Sequence, residues 1–208
     1  MGVAGTYTRW IGIGGRWLLD GIVGGIAATG IHPNVLTTMG LVVSAAAAGM
    51  FARGDFRAAA SLMILSGFLD MADGEVARRQ GSVTAFGAFL DSVLDRYADM
   101  ILYMGLIVYY VTIGRFFYGV LAAVAMAGSV MVSYTRARAE SLIPQCKAGF
   151  MERPERMLLL IIGGMFYRMA PVLWVIAVLS TITVIHRIVY TWQETKAGRV
   201  LPPLSRAG

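Results

Sequence analysis

Charged side chains are scarce in this chain of 208 residues, at 14% against 57% hydrophobic. A soluble domain carries about one quarter charged residues, so the shortage excludes an ordinary soluble domain, and the mean hydropathy of +0.67 points to lipid. Cysteine occurs once, at Cys146. A single thiol excludes an internal disulfide framework, and Cys146 reads as a small filler. The two histidines, His32 and His186, are remote in sequence from the acidic residues. A zinc centre, which draws on His and Cys, is therefore not expected, and both histidines read as structural or interfacial residues.

Long uncharged runs are abundant: 21–52 (with only His32 inside it), 100–114, 116–135 and 169–185. A spanning helix needs about 20 mostly apolar residues. The expected fold is an all-α integral membrane protein with six transmembrane helices, at 34–52, 57–78, 84–112, 115–140, 152–168 and 170–192. The breaks between them are "ARGDF", "RRQGS", "TIGR", "IPQCKAGF" and "YRMAP". The fifth span is the weakest, because only eleven uncharged residues separate Arg156 from Arg168.

An interfacial amphipathic helix is expected at 6–28, where Arg9, Trp10, Arg16, Trp17 and Asp20 interrupt the apolar pattern. The opening "MGVAGTYTRW" shows no compact cleavable signal, and the N-terminus is expected to remain. "GIHPN" then breaks the chain, and Asn34 is the expected cap of the next helix. The division is thus 1–30 as a juxtamembrane helix, 31–195 as a six-helix membrane domain and 196–208 as a cytoplasmic tail.

With a cytoplasmic N-terminus, fourteen Lys and Arg residues fall on the cytoplasmic side and four (53, 57, 115 and 168) on the other. That bias fits a multi-pass protein of the cell membrane. The net charge of +6 is then explained by basic loops beside anionic lipid rather than by nucleic acid. Small-residue stretches such as "AAAAG" and "AVAMAG" permit close helix packing, within one protomer or in a homodimer.

Acids are few, yet six of the twelve lie between 70 and 99: Asp70, Asp73, Glu75, Asp91, Asp95 and Asp99. Asp70 and Asp73 are three residues apart, Asp91 and Asp95 four, so each pair shares a helix face. A turn near 79–83 makes the two helices antiparallel neighbours. Clustered carboxylates in a poorly hydrated site repel unless protons or cations intervene. An all-oxygen donor set suits Mg²⁺, Mn²⁺ or Ca²⁺. Gly74 and Gly87 allow a ligand or a second backbone to approach closely. The competing reading is an ion-pair network in which Arg78, Arg79 and Arg96 neutralise the acids. Glu75 and Asp99 read as solvated or paired side chains rather than ligands. Two metals flanked by arginine suit a diphosphate, with a further carboxylate to take a proton from an incoming hydroxyl.

The full string is Asp70-x2-Asp73-Gly74-x2-Ala77-Arg78-x8-Gly87-x3-Asp91-x3-Asp95, with eight specified positions at fixed gaps. It resembles the signature of the CDP-alcohol phosphotransferases at every position, and the hydropathy resembles that family's six-helix fold over nearly the whole chain. The resemblance implies transfer of a phosphatidyl-type group from a CDP-linked lipid to an alcohol, with release of CMP. It implies two divalent ions, Mg²⁺ or Mn²⁺, held by Asp70, Asp73, Asp91 and Asp95, with Asp95 also the general base. Gly74, Ala77, Arg78 and Gly87 would line the cytidine-diphosphate site. Asn34 and Thr37 of "PNVLT" join them by the same resemblance.

A second cluster, "SYTRARAESL…KAGFMERPERMLL", sets Arg136, Arg138, Lys147, Arg153 and Arg156 at the expected cytoplasmic ends of spans four and five. Lys147 and Arg138 read as positive-inside decoration. Arg153 and Arg156 start a helix, where cations are electrostatically misplaced unless an anion compensates. Glu152, Glu155 or a substrate phosphate would do so, and guanidinium forks suit phosphate. The expected acceptor site is Arg136, Arg153, Arg156 and Arg187. These segments are similar to the branch that uses L-myo-inositol 1-phosphate to make a phosphatidylinositol phosphate. The runner-up is the glycerol 3-phosphate branch, whose "LDPxADK" Pro and Lys are missing from "LDSVLDRYAD". Outside enzymology, the same acids would serve a divalent-cation binder or transporter, although few ionisable residues lie beyond the cytoplasmic half.

Overall fold

The structure is a computed structural model and describes residues 31–200. The expected interfacial helix at 6–28 and the tail "LPPLSRAG" lie outside the described residues. Six helices follow one another: α1 Pro33–Arg53, α2 Phe56–Arg79, α3 Ala85–Thr112, α4 Phe116–Glu140, α5 Arg153–Met165 and α6 Met169–Lys196. No strand occurs among the described residues.

The helix starts follow local chemistry. Asn34 is not the cap of α1. Pro33 occupies the first helical position, where its missing N–H costs nothing, and the His32 Nδ1 accepts from the Asn34 N–H at 3.2 Å. At α3 the Thr84 hydroxyl accepts from the Gly87 N–H at 2.9 Å, an ordinary N-cap bond. Gly54 (φ +82) and Gly114 (φ +73) turn the chain after α1 and α3, in the left-handed region that a side chain resists.

The chain divides into two compact units: the described residues up to Val43 with Ile64–Tyr97, and Ser44–Met63 with Ala98 onward. In the first, α1 and α2 meet through Leu36, Leu69, Ala72 and Val76, and the buried Ser66 hydroxyl donates to the Gly40 carbonyl at 3.0 Å.

The second unit holds the main core, in which Phe51, Met63, Leu102, Leu106, Leu160, Leu173 and Ile176 are buried. Small residues set its tightest contacts. A Cβ on Gly105 would stand 2.3 Å from the Ala48 carbonyl oxygen. "AAAAG" therefore serves packing inside the protomer. Gly105→Ala should lower stability by about 1–3 kcal/mol, because backbone cannot move aside as a side chain can; thermal unfolding in detergent measures it. Cys146 is buried beside Ala139, Ala148 and Tyr190, as a filler would be.

Three helices, α1, α4 and α6, are long and apolar enough to cross a membrane. Exposed Val42, Phe117, Val124, Trp174, Ile185 and Trp192 cover them, which suits lipid rather than water. Helices α2 and α3 have 24 and 28 residues but carry the acidic cluster, which dilutes their hydropathy. Helix α5 has only 13 residues, about 20 Å at 1.5 Å per residue. The expected span at 152–168 is thus cut short by Phe166 and by Tyr167 at φ 53.

Candidate active site

In the first unit, α2 and α3 bring Asp70, Asp91 and Asp95 together. Each offers a carboxylate oxygen, and the three atoms lie within 4.8 Å of one another. All three residues are half-buried. Helical spacing explains the meeting: Asp91 and Asp95 stand one turn apart on α3, and the short turn after Arg79 returns the chain beside α2.

Asp73, one turn beyond Asp70, is deeper. It is 6% exposed, it lies against Thr37, and Asp70 and Asp91 are its acidic neighbours. Its Oδ2 is buried with no hydrogen-bond partner. A buried carboxylate oxygen left unpaired is costly, and beside three clustered carboxylates it is what a hard divalent cation would relieve. The donor set fits such a cation.

The residues expected at the nucleotide gather in the same unit. A Cβ on Gly87 would meet the Thr84 Oγ1 at 3.0 Å and the Asn34 Oδ1 at 3.6 Å, while one on Gly74 would meet only the Arg78 Nη1, at 3.6 Å. Ala77 is half-buried on α2. Arg78 reaches Glu75 at 2.8 Å and Arg79 reaches the other oxygen of Glu75 at 3.0 Å. Glu75 is thus a paired residue, as expected. Arg96 donates to the Ser92 carbonyl on its own helix.

The four arginines expected at the acceptor lie in the second unit, held in two pairs by two acids. Asp99 takes Arg153 at 3.3 Å and Arg156 at 3.0 Å. Glu152 takes Arg136 at 2.7 Å and Arg187 at 3.0 Å. Glu140 adds a second bond to Arg136 at 3.2 Å. Arg187 is 1% exposed and also donates to the Ala148 and Val132 carbonyls. The cationic cluster thus exists, with Arg136 and Arg153 half-buried and Arg156 and Arg187 buried. Glu140 was not anticipated, although its position four residues after Arg136 is the ordinary helical pairing distance. The Arg187 bonds to backbone carbonyls had no sequence signal. Lys147 is exposed and Arg138 meets Ser141, in keeping with a peripheral role.

A family model for CDP-alcohol phosphatidyltransferase matches residues 30–191. The chain is 38% identical over 187 residues to archaetidylinositol phosphate synthase of Methanothermobacter thermautotrophicus, an alignment that covers 87% of this chain and 92% of that protein. It is similar to the crystal structure of Mycobacterium tuberculosis phosphatidylinositol phosphate synthase with CDP-DAG bound, at TM-score 0.77 and 28% identity, covering 91% of this chain and 98% of that one. The same enzyme in complex with manganese and citrate gives TM-score 0.78 and 28% identity, covering 91% and 93%. A matched span from Gly30 to Thr191, carrying the intact aspartate signature, places this chain in the CDP-alcohol phosphatidyltransferase family.

Proposed function

We propose that this enzyme transfers a phosphatidyl group from a CDP-linked lipid such as CDP-diacylglycerol to L-myo-inositol 1-phosphate. The products are a phosphatidylinositol phosphate and CMP. The observation that carries the reading is the convergence of Asp70, Asp91 and Asp95 within 4.8 Å inside the family's matched span. The named relatives, an archaetidylinositol phosphate synthase and a phosphatidylinositol phosphate synthase, support the choice of acceptor.

Asp70, Asp73, Asp91 and Asp95 would hold the metal, taken as two Mg²⁺ or Mn²⁺ ions. The chemistry supplied there is neutralisation of charge on the diphosphate oxygens. Gly74, Ala77, Gly87, Asn34 and Thr37 form the floor for the cytidine diphosphate, with Arg78 at its edge. Asp95 accepts the proton of the acceptor hydroxyl as that oxygen bonds to the lipid-bearing phosphorus. The bond from that phosphorus to the bridging oxygen breaks, and CMP leaves with the oxygen. Arg136, Arg153, Arg156 and Arg187 form the cationic cradle for the acceptor phosphate. The domain spans the cell membrane six times, with the site facing the cytoplasm, and the small-residue faces left outside the core accommodate a second copy.

An acceptor panel tests the reading. Purified protein with CDP-diacylglycerol and Mg²⁺ or Mn²⁺ should release CMP fastest with inositol 1-phosphate, and slowly with glycerol 3-phosphate, free inositol or serine. Faster release with glycerol 3-phosphate would replace the acceptor. No release with any of them would end the enzyme assignment.

A further inference from the structure

Asp99 stands outside the eight-position signature, and its surroundings differ from those of the three converging aspartates. It is 7% exposed, and its two oxygens are divided between two cations. Oδ1 accepts from the Arg153 Nε at 3.3 Å and Oδ2 from the Arg156 Nη2 at 3.0 Å. Arg156 is fixed further by a bond from its Nη1 to the Met151 carbonyl at 3.1 Å, and it is only 2% exposed. Arg153 keeps more contact with solvent, with 23% of its side chain exposed.

Both arginines open α5, where the positive end of the helix dipole repels them. A buried guanidinium without a counter-charge is strongly destabilising. Glu155 is close in sequence but exposed. Asp99 supplies the counter-charge from another helix, and it does so in two-to-one fashion. Holding Arg153 by its Nε removes rotational freedom from that side chain, so less entropy is lost when an anion binds.

We infer that Asp99 is a positioning residue for the phosphorylated acceptor, holding Arg153 in place against the buried Arg156. The inference rests on the acceptor reading above. A purely structural Asp99 would lower stability, or turnover with every substrate. A positioning Asp99 acts on the affinity for one substrate alone.

CMP release by the full-length protein in lipid-detergent micelles provides the test, with each substrate varied while the other is saturating. Asp99→Asn keeps the shape and removes the charge. It should raise KM for inositol 1-phosphate by about tenfold, the scale of a lost charged hydrogen bond, and leave KM for CDP-diacylglycerol unchanged. An unchanged or lowered KM for inositol 1-phosphate overturns the inference. If Asp99→Asn does not fold, Asp99→Glu keeps the charge but displaces it by one methylene. That variant must raise KM for inositol 1-phosphate alone, and equal changes for both substrates overturn the inference. Arg153→Gln is measured alongside. No effect of Arg153→Gln on that KM overturns the acceptor reading itself, whereas an effect there with none at Asp99 overturns only the role of Asp99.

Discussion

Asp95→Asn should reduce CMP release by about 10³-fold, within the range that a positioned general base contributes. The amide has nearly the volume of the carboxylate, so α3 and its packing are left intact. It cannot accept a proton at neutral pH, and it weakens one corner of a three-carboxylate cluster in which the oxygens lie within 4.8 Å. Binding of CDP-diacylglycerol should largely survive, because the proposed nucleotide floor is built from Asn34, Thr37, Gly74, Ala77 and Gly87. Single-turnover CMP release, paired with stabilisation of the folded protein by CDP-diacylglycerol, separates the two effects. Turnover preserved in Asp95→Asn removes this residue from its role.

Asp91→Asn should weaken Mn²⁺ binding by about a hundredfold, the upper end of what the loss of an outer-shell partner costs. Asp91 is central in two senses: it converges with Asp70 and Asp95, and it is one of the two acids nearest the buried Asp73. Its loss therefore affects a donor and the charge balance around an unpaired buried oxygen together. Titration followed by the Mn²⁺ resonance signal reads the affinity directly, without reference to catalysis. Unchanged affinity would leave the cluster a salt-bridged structural feature.

Helix positions were the most legible part of the chain. The expected spans at 34–52, 57–78, 84–112 and 115–140 agree with α1 to α4 to within one residue at each end. Apolar runs and glycine-bearing breaks act locally, so adjacent residues are enough to read them. Helix α5 was overextended because "GGMFYR" looks continuous in composition, whereas Tyr167 leaves the helical region. The acids on α2 and α3 were readable because helical periodicity and one short turn determine their meeting. The partners of the arginines were harder. Arg156 and Asp99 are 57 positions apart, and Arg187 and Glu152 are 35 apart. No local pattern states which acid meets which base at such distances. Asp73 likewise gave no sign that it would be buried more deeply than its three companions.

The shortness of α5 has a consequence for the depth at which its first turn lies. The hydrocarbon of a bilayer is about 30 Å thick, and 13 residues cover about 20 Å of it. If the domain crosses the bilayer six times, as proposed, and the last turn of α5 reaches the far headgroups, this rod stops well below the near surface. In that arrangement Arg153 and Arg156 at its tip would sit beneath the phosphate plane of the lipids, and the bilayer would dimple or admit water above them. Under the proposed acceptor reading, that depression would admit a water-soluble sugar phosphate to these two arginines.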